Sequence, residues 1–167
     1  RPLLNSQFNY NLTQFTPEIS YFVRDSEGKL KIIQKNSQKA LFDSIENKWS
    51  LLFNNEVPLE LDIAMGNADS QLDFSNINLT DLKVAIGTGE TSIDLTGDYQ
   101  DSIHVYLIGG IGHTALNLPE DIGIRLFIDG MNHISCSGFN QIGKFYYNSA
   151  FDFSERKIFI TIINWIG

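Results

Sequence analysis

Two stretches, LDIAMGNADSQLDF (residues 61–74) and LKVAIGTGETSIDL (residues 82–95), decide the fold. Laid over one another, they agree in character at every position, at a spacing of 21 residues. In each, apolar and polar residues alternate, as in Leu61-Ile63-Met65 and Leu82-Val84-Ile86, and a second short alternation follows, Leu72-Phe74 and Ile93-Leu95. Period-2 alternation marks strands with one buried face. The series continues: Leu61, Leu82, Ile103 and Ile124 stand 21 apart, as do Ile63, Val84, Val105 and Leu126, and Met65, Ile86, Leu107 and Ile128. A fixed period in this range marks a repeat architecture, each unit burying its apolar face against its neighbours.

Working outward, each turn reads as two strands joined by corners at Gly66, Gly87-Thr88-Gly89, Gly109-Gly110 and Asp129-Gly130, where φ > 0 costs glycine little. The second strands continue as Leu116-Leu118 and Ile134-Cys136, with two extra residues placed at the Gly109-Gly110 corner. Upstream, Trp49-Leu51-Phe53 precedes Ser70-Leu72-Phe74 by one period, Leu30-Ile32 precedes Leu51-Phe53 by one, and Ile19-Tyr21-Val23 sits two periods before Leu61. The rung at Ala40 and Phe42 is degenerate, and residues 39–47 read as a short helix or an irregular corner. The expectation is one all-β domain over 1–167, a β-solenoid of parallel strands about 4.8 Å apart. Its regular rungs span 19–137, and an aromatic-rich segment with a last strand, Ile158-Ile160-Ile162, closes it over 144–167. An antiparallel sandwich is the alternative, but it leaves the constancy of 21 unexplained.

Composition narrows the function classes. Twenty Asp and Glu against twelve Lys and Arg give a net charge of −8, which repels nucleic acid and anionic membrane surfaces. No apolar run is long enough to cross a membrane as a helix. Cys136 is the one cysteine and falls at an apolar repeat position, which reads as a small core residue and not a nucleophile.

Candidate chemistry is sparse. Asp69, Glu90, His113 and His133 fall in one outward column on consecutive rungs, and Asp73 and Asp94 stack above Asn117 and Ser137. Carboxylates at rung spacing repel, and a divalent cation would relieve that; an ordinary solvated face is the expected reading. The Gly109-Gly-Ile-Gly112 and Gly87-Thr-Gly89 runs lack the context of a phosphate loop and read as corners. Ser135 and Ser137 sit in no nucleophile elbow, and Asn11-Leu-Thr13 and Asn78-Leu-Thr80 match the glycosylation triplet only as chance would. No catalytic residue and no cofactor is expected. Tyr106 and Phe127 have outward parity, beside Ala64 and Ala85, and need cover. The segment 144–153 with Phe145, Tyr146, Tyr147 and Phe151 is the expected cover, and a partner surface is the alternative.

Ile19-Ser-Tyr21, the strand start Gly28-Lys-Leu30, Trp49 preceding Val57-Pro58-Leu59, and corners such as that in Leu82-Lys-Val-Ala-Ile-Gly-Thr-Gly89 before Ser92-Ile-Asp-Leu95 carry a resemblance. From about Phe8 onward the chain resembles the toast-rack family of bacterial domains of unknown function, related to proteins labelled cell-wall-active antibiotics response. The resemblance implies stacked short strands, a cell-envelope association and no known catalytic residues. Ala68 and Ile108 stand where corner glycines are expected, and the chain stops at Gly167 before an expected further strand, as a piece of a longer protein would. The functional expectation is a noncatalytic module of a bacterial envelope protein, outside the cytoplasm or on the cytoplasmic face of a membrane protein. It would act in adhesion, scaffolding or stress sensing through protein or envelope contacts. A carbohydrate-active β-helix enzyme and a homo-oligomerisation module, with Tyr106 and Phe127 meeting a second copy, are the alternatives.

Overall fold

The computed structural model describes residues 2–34, 46–130 and 135–163, so most of the 39–47 segment, Ile134 and His133 lie outside the described residues. The chain divides into two compact units, 1–54 and 55–167. Among the described residues, apart from one 3-10 turn at Thr13–Phe15, every regular element is a strand.

The first unit holds β1 (Leu4–Tyr10), β2 (Pro17–Arg24), β3 (Glu27–Gln34) and β4 (Asn47–Phe53). Here the expected parallel rungs are corrected. β2 and β3 form an antiparallel hairpin with Ile19 opposite Ile32 and Tyr21 opposite Leu30, and β1 pairs antiparallel with β4. Local turn chemistry is the reason. Asp25 and Ser26 both take positive φ, 51° and 69°, closing a two-residue turn whose twist suits a hairpin. Trp49 lies opposite Phe8 with the rings edge-on, their centroids 5.3 Å apart.

The second unit carries the repeat. Its strands are β5 (Leu59–Asn67), β6 (Ser70–Asp73), β7 (Leu79–Thr88), β8 (Thr91–Asp94), β9 (Ile103–Ile108), β10 (Thr114–Asn117), β11 (Gly123–Asp129), β12 (Phe139–Ile142), β13 (Phe145–Asn148) and β14 (Lys157–Ile163). They form a seven-stranded sheet, β12-β13-β11-β14-β9-β7-β5, and a three-stranded one, β10-β8-β6. Pairing from β5 through β11 is parallel, as is the whole smaller sheet, which excludes the antiparallel sandwich. The ladder runs around the corners too, for example from Ala68 N to Thr88 O (2.9 Å) and from Thr91 N to His113 O (2.9 Å).

Inward parity is as read: Leu82, Val84, Ile103, Val105, Ile124 and Leu126 are all buried. Register is corrected in two places. Leu61 pairs with Leu82, but Leu82 pairs with Val105 and not Ile103. The two extra residues of the third turn therefore enter before β9, between Leu95 and Ile103, and not at Gly109-Gly110. Tyr99 explains why they fit: its ring is buried in this bend and its hydroxyl donates to the Phe74 carbonyl at 3.3 Å. Burial pushes the Tyr99 phenol up to about 12. Arg156 donates to the Tyr99 carbonyl at 2.5 Å and pairs with Asp98, pinning the bend.

The second correction is larger. β14, the last strand, enters between β9 and β11, so Ile103 and Ile124 each pair with Ile158 and not with one another. Outward neighbours move as well: Tyr106 stands beside Lys83, and Ala85 beside Ile108. Asn148 completes the edge of β11, its amide accepting from Ile124 N and donating to Ile122 O, both at 2.8 Å.

The corners divide into two kinds. Gly89 (φ +135°) and Gly112 (φ +134°) need the left-handed region, and a Cβ on either would meet the carbonyl of the rung before, at 2.1 and 2.3 Å. Gly66 and Gly87 do not take positive φ; Gly87 is required by close approach alone, a Cβ there meeting Gly66 O at 2.3 Å. Ala68 heads the column Ala68–Gly89–Gly112 with no earlier rung of its own unit beneath it, so a methyl is accommodated.

Candidate functional site: the outward aromatic face

Alternation that buries Ile158, Ile160, Ile124 and Leu126 must turn Phe159, Thr161, Arg125 and Phe127 to the other face of the large sheet. One outward row runs Lys83–Tyr106–Thr161–Phe127–Phe145, the next Asp81–His104–Phe159–Arg125–Tyr147. Side chains in these rows stack across strands. His104 lies flat on Phe159, centroids 5.2 Å apart and planes 23° from parallel. The Arg125 guanidinium carbon lies 4.6 Å from the Phe159 ring centre, on β14, and 5.1 Å from that of Phe145, on β13. Phe127 meets Phe145 at 5.6 Å, and Tyr147 meets Phe151 edge-on at 4.8 Å. An open depression of about 220 Å³ lies among Arg125, Phe127, Phe145, Phe159, Ile160 and Thr161.

The expected cover over Tyr106 and Phe127 is thus only half realised. β13 joins the sheet at the edge of β11 and lays Phe145 beside Phe127, while Tyr106 stays 45% exposed. Phe145 lies where the cover was expected, whereas Arg125, Phe159 and His104 went unrecognised as members of this face. The signal was present, since Phe159 and Arg125 each sit between two inward aliphatics, but their adjacency depends on where β14 inserts.

The acidic column is differently employed. Asp69 and Glu90 share an edge, but the Asp69 carboxylate accepts the Glu90 backbone N–H at 2.9 Å. Among the described residues no group of three or more His, Cys, Asp and Glu side chains converges as a metal site would. Asp73 pairs with Asp94 and Asp94 with Asn117 in register. Asp73 accepts from the Ser75 N–H and hydroxyl, and Asp94 from those of Thr96, the hydroxyl bonds at 2.6 Å in both cases. These are turns that bend each strand into the next corner. The Thr96 hydroxyl and N–H bonds hold the Asp94 carboxyl below its usual range. Cys136 packs against the core, and burial pushes its thiol up, away from the reactive thiolate. No helix among the described residues is long and apolar enough to cross a membrane.

These features define a stacked-strand repeat domain with one aromatic outer face. The chain belongs to the toast-rack family: residues 1–117 match the N-terminal domain of toast_rack, DUF2154. Most of the aromatic face, on β11, β13 and β14, lies beyond that match. A crystal structure described as "a putative cell adhesion protein" from Clostridium sporogenes ATCC 15579 is similar over 100% of this chain and 81% of that one, with 28% identity and a TM-score of 0.87. No curated protein matches the chain.

Proposed function

We propose that this chain is a noncatalytic β-repeat module of a bacterial cell-envelope protein, working outside the cytoplasm in adhesion or scaffolding through protein contacts. The observation that carries the reading is the outward face itself. It is aromatic and carried on four adjacent paired strands, with an open depression in place of a walled cleft. Aromatic and Arg side chains gathered on an outer surface are what protein interfaces concentrate at their centres. Likeness to a protein described as a cell adhesion protein supports the same reading. The carbohydrate-enzyme alternative asks for paired carboxylates free to act, whereas those of Asp69, Asp73 and Asp94 are spent on neighbouring N–H and hydroxyl groups.

The test is retention of chain-coated beads on isolated bacterial envelopes. Retention that falls several-fold in Tyr106→Ser with an unchanged melting temperature supports the reading. Equal retention by wild type and Tyr106→Ser, or release of reducing sugar from envelope polysaccharide, refutes it.

A further inference from the structure

We propose that the aromatic face takes hold of its protein partner by one carboxylate, an Asp or Glu side chain seated against Arg125 between Phe145 and Phe159. The inference rests on the protein-contact reading above and names the chemistry of the partner's anchor.

Arg125 is half-buried, and its guanidinium carbon lies over the rings of both Phe159 and Phe145. A ring offers these contacts no ordinary hydrogen-bond acceptor, so the five N–H donors of the guanidinium are not used up by them. Ion pairs among the described residues engage Arg24, Lys83, His104 and Arg156, and not Arg125. Its side-chain donors have no hydrogen-bond acceptor among the described residues either. A planar fork beside two rings matches a carboxylate bidentately, and a charge-assisted bond of that kind strengthens where rings displace water. The depression beside it, about 220 Å³ and lined mainly by apolar groups, has room for the end of one side chain.

Charge on a wider scale selects the bearer of that carboxylate. The chain carries −8 overall; on the outward side of this sheet Asp62 is paired with Lys83 and Asp81 with His104, and Asp129 stands at the end of β11. A polymer with a carboxylate on every unit meets repulsion from that field. A protein surface that sets one Asp or Glu among Lys and Arg residues satisfies both: its net positive charge meets the chain's net negative one, and its single acid meets Arg125. Complementarity at these two ranges steers encounter and fixes register. The aromatic and Arg centre is where binding energy concentrates.

The experiment titrates the full chain with acetyl-Lys-Ala-Glu-Phe-Lys-amide and with its Gln counterpart. It follows heat and the side-chain NMR signals of Arg125. Saturable binding of the Glu peptide is expected, at least about 10-fold tighter than that of the Gln peptide, with Arg125 Nε–H shifted only by the former. Arg125→Gln should abolish the difference between the peptides, and Arg125→Lys, which keeps charge without the fork, should not restore it. Should either variant fail to fold, the two peptides on the wild-type chain decide the matter alone. Several outcomes overturn the proposal: no saturation at millimolar peptide, equal affinity for the two peptides, or displacement of the Glu peptide by glucuronate at equal concentration. Concentration-dependent dimerisation that blocks the peptide overturns it too, by making a second copy the occupant. Bead retention that survives Arg125→Gln but not Tyr106→Ser sinks the carboxylate anchor and leaves the adhesion reading standing. Peptide discrimination without any envelope retention sinks the adhesion reading alone.

Discussion

Gly87→Ala should destabilise the stack, and Gly66→Ala one rung earlier should not. The two positions are equivalent in the repeat and differ in one respect. A Cβ at Gly87 would stand 2.3 Å from the Gly66 carbonyl oxygen, whereas one at Gly66 meets nothing within 4 Å. Real contacts of this kind hold at about 3 Å or more, so the rungs must part by several tenths of an ångström at the corner. The bonds at risk are those that stitch this corner to its neighbours, Ile111 N to Gly87 O (2.8 Å) and Ala68 N to Thr88 O (2.9 Å). Weakening two such bonds costs about 1 kcal/mol each, and forcing extra volume into a packed site about 1–3 kcal/mol. These costs total about 3–5 kcal/mol, and Ala offsets about 1 kcal/mol of that by restricting the unfolded chain, so a net loss of about 2–4 kcal/mol remains, a fall in melting temperature of roughly 6–12 °C at about 3 °C per kcal/mol for a chain of this size. Gly66→Ala should shift it by no more than about 2 °C, since replacing Gly also restricts the unfolded chain. Thermal unfolding followed by circular dichroism is the assay. Equal shifts for the two variants would refute the claim that close approach between rungs, and not turn conformation, fixes Gly87.

Other expectations follow from the same geometry. Val84→Asp should abolish cooperative folding of the second unit, because a carboxylate at this fully buried position between Ile63 and Leu107 has no partner. Lys83→Asp, turned outward, should cost about 1 kcal/mol or less while losing its pairing with Asp62; similar losses for both would invert the assignment of faces. The depressed carboxyl of Asp94 contributes stability above its ordinary value of 3.8, and that contribution disappears as pH falls through the lower folded value. Asp94→Asn should therefore flatten the acid side of the melting-temperature profile below about pH 4 and leave its shape at neutral pH; an unchanged acid limb would show that this bond network contributes nothing. Added calcium or zinc should raise the melting temperature no more than sodium chloride of equal ionic strength. A saturable shift with one ion, lost in Glu90→Gln, would make the Asp69–Glu90 edge a metal site after all.

From β5 to β11 the sequence by itself determined the repeating strands, their inward faces and the parallel stacking, though not the antiparallel pairs of the first unit. A 21-residue period coupled to period-2 alternation leaves few other ways to bury Leu61, Leu82, Val84 and Leu126. It also marked the outward parity of Tyr106 and Phe127, because parity is a local property of an extended chain. What it left open is pairing between segments distant in the chain. Whether Asp25-Ser26 closes a hairpin or passes a strand to the next rung depends on two residues whose positive φ no periodicity reports. Where the two extra residues of the third turn sit was decided by Tyr99, whose ring fills the bend before β9. Above all, Ile158-Ile160-Ile162 carries the same alternation as its neighbours, so its pattern fits any position in the sheet. Only the tertiary structure places it between β9 and β11, and that one insertion brings Phe159 beside Arg125 and under His104. Strand identity is written in the spacing of apolar residues, whereas strand order is settled by which free edges meet when the chain closes on its core.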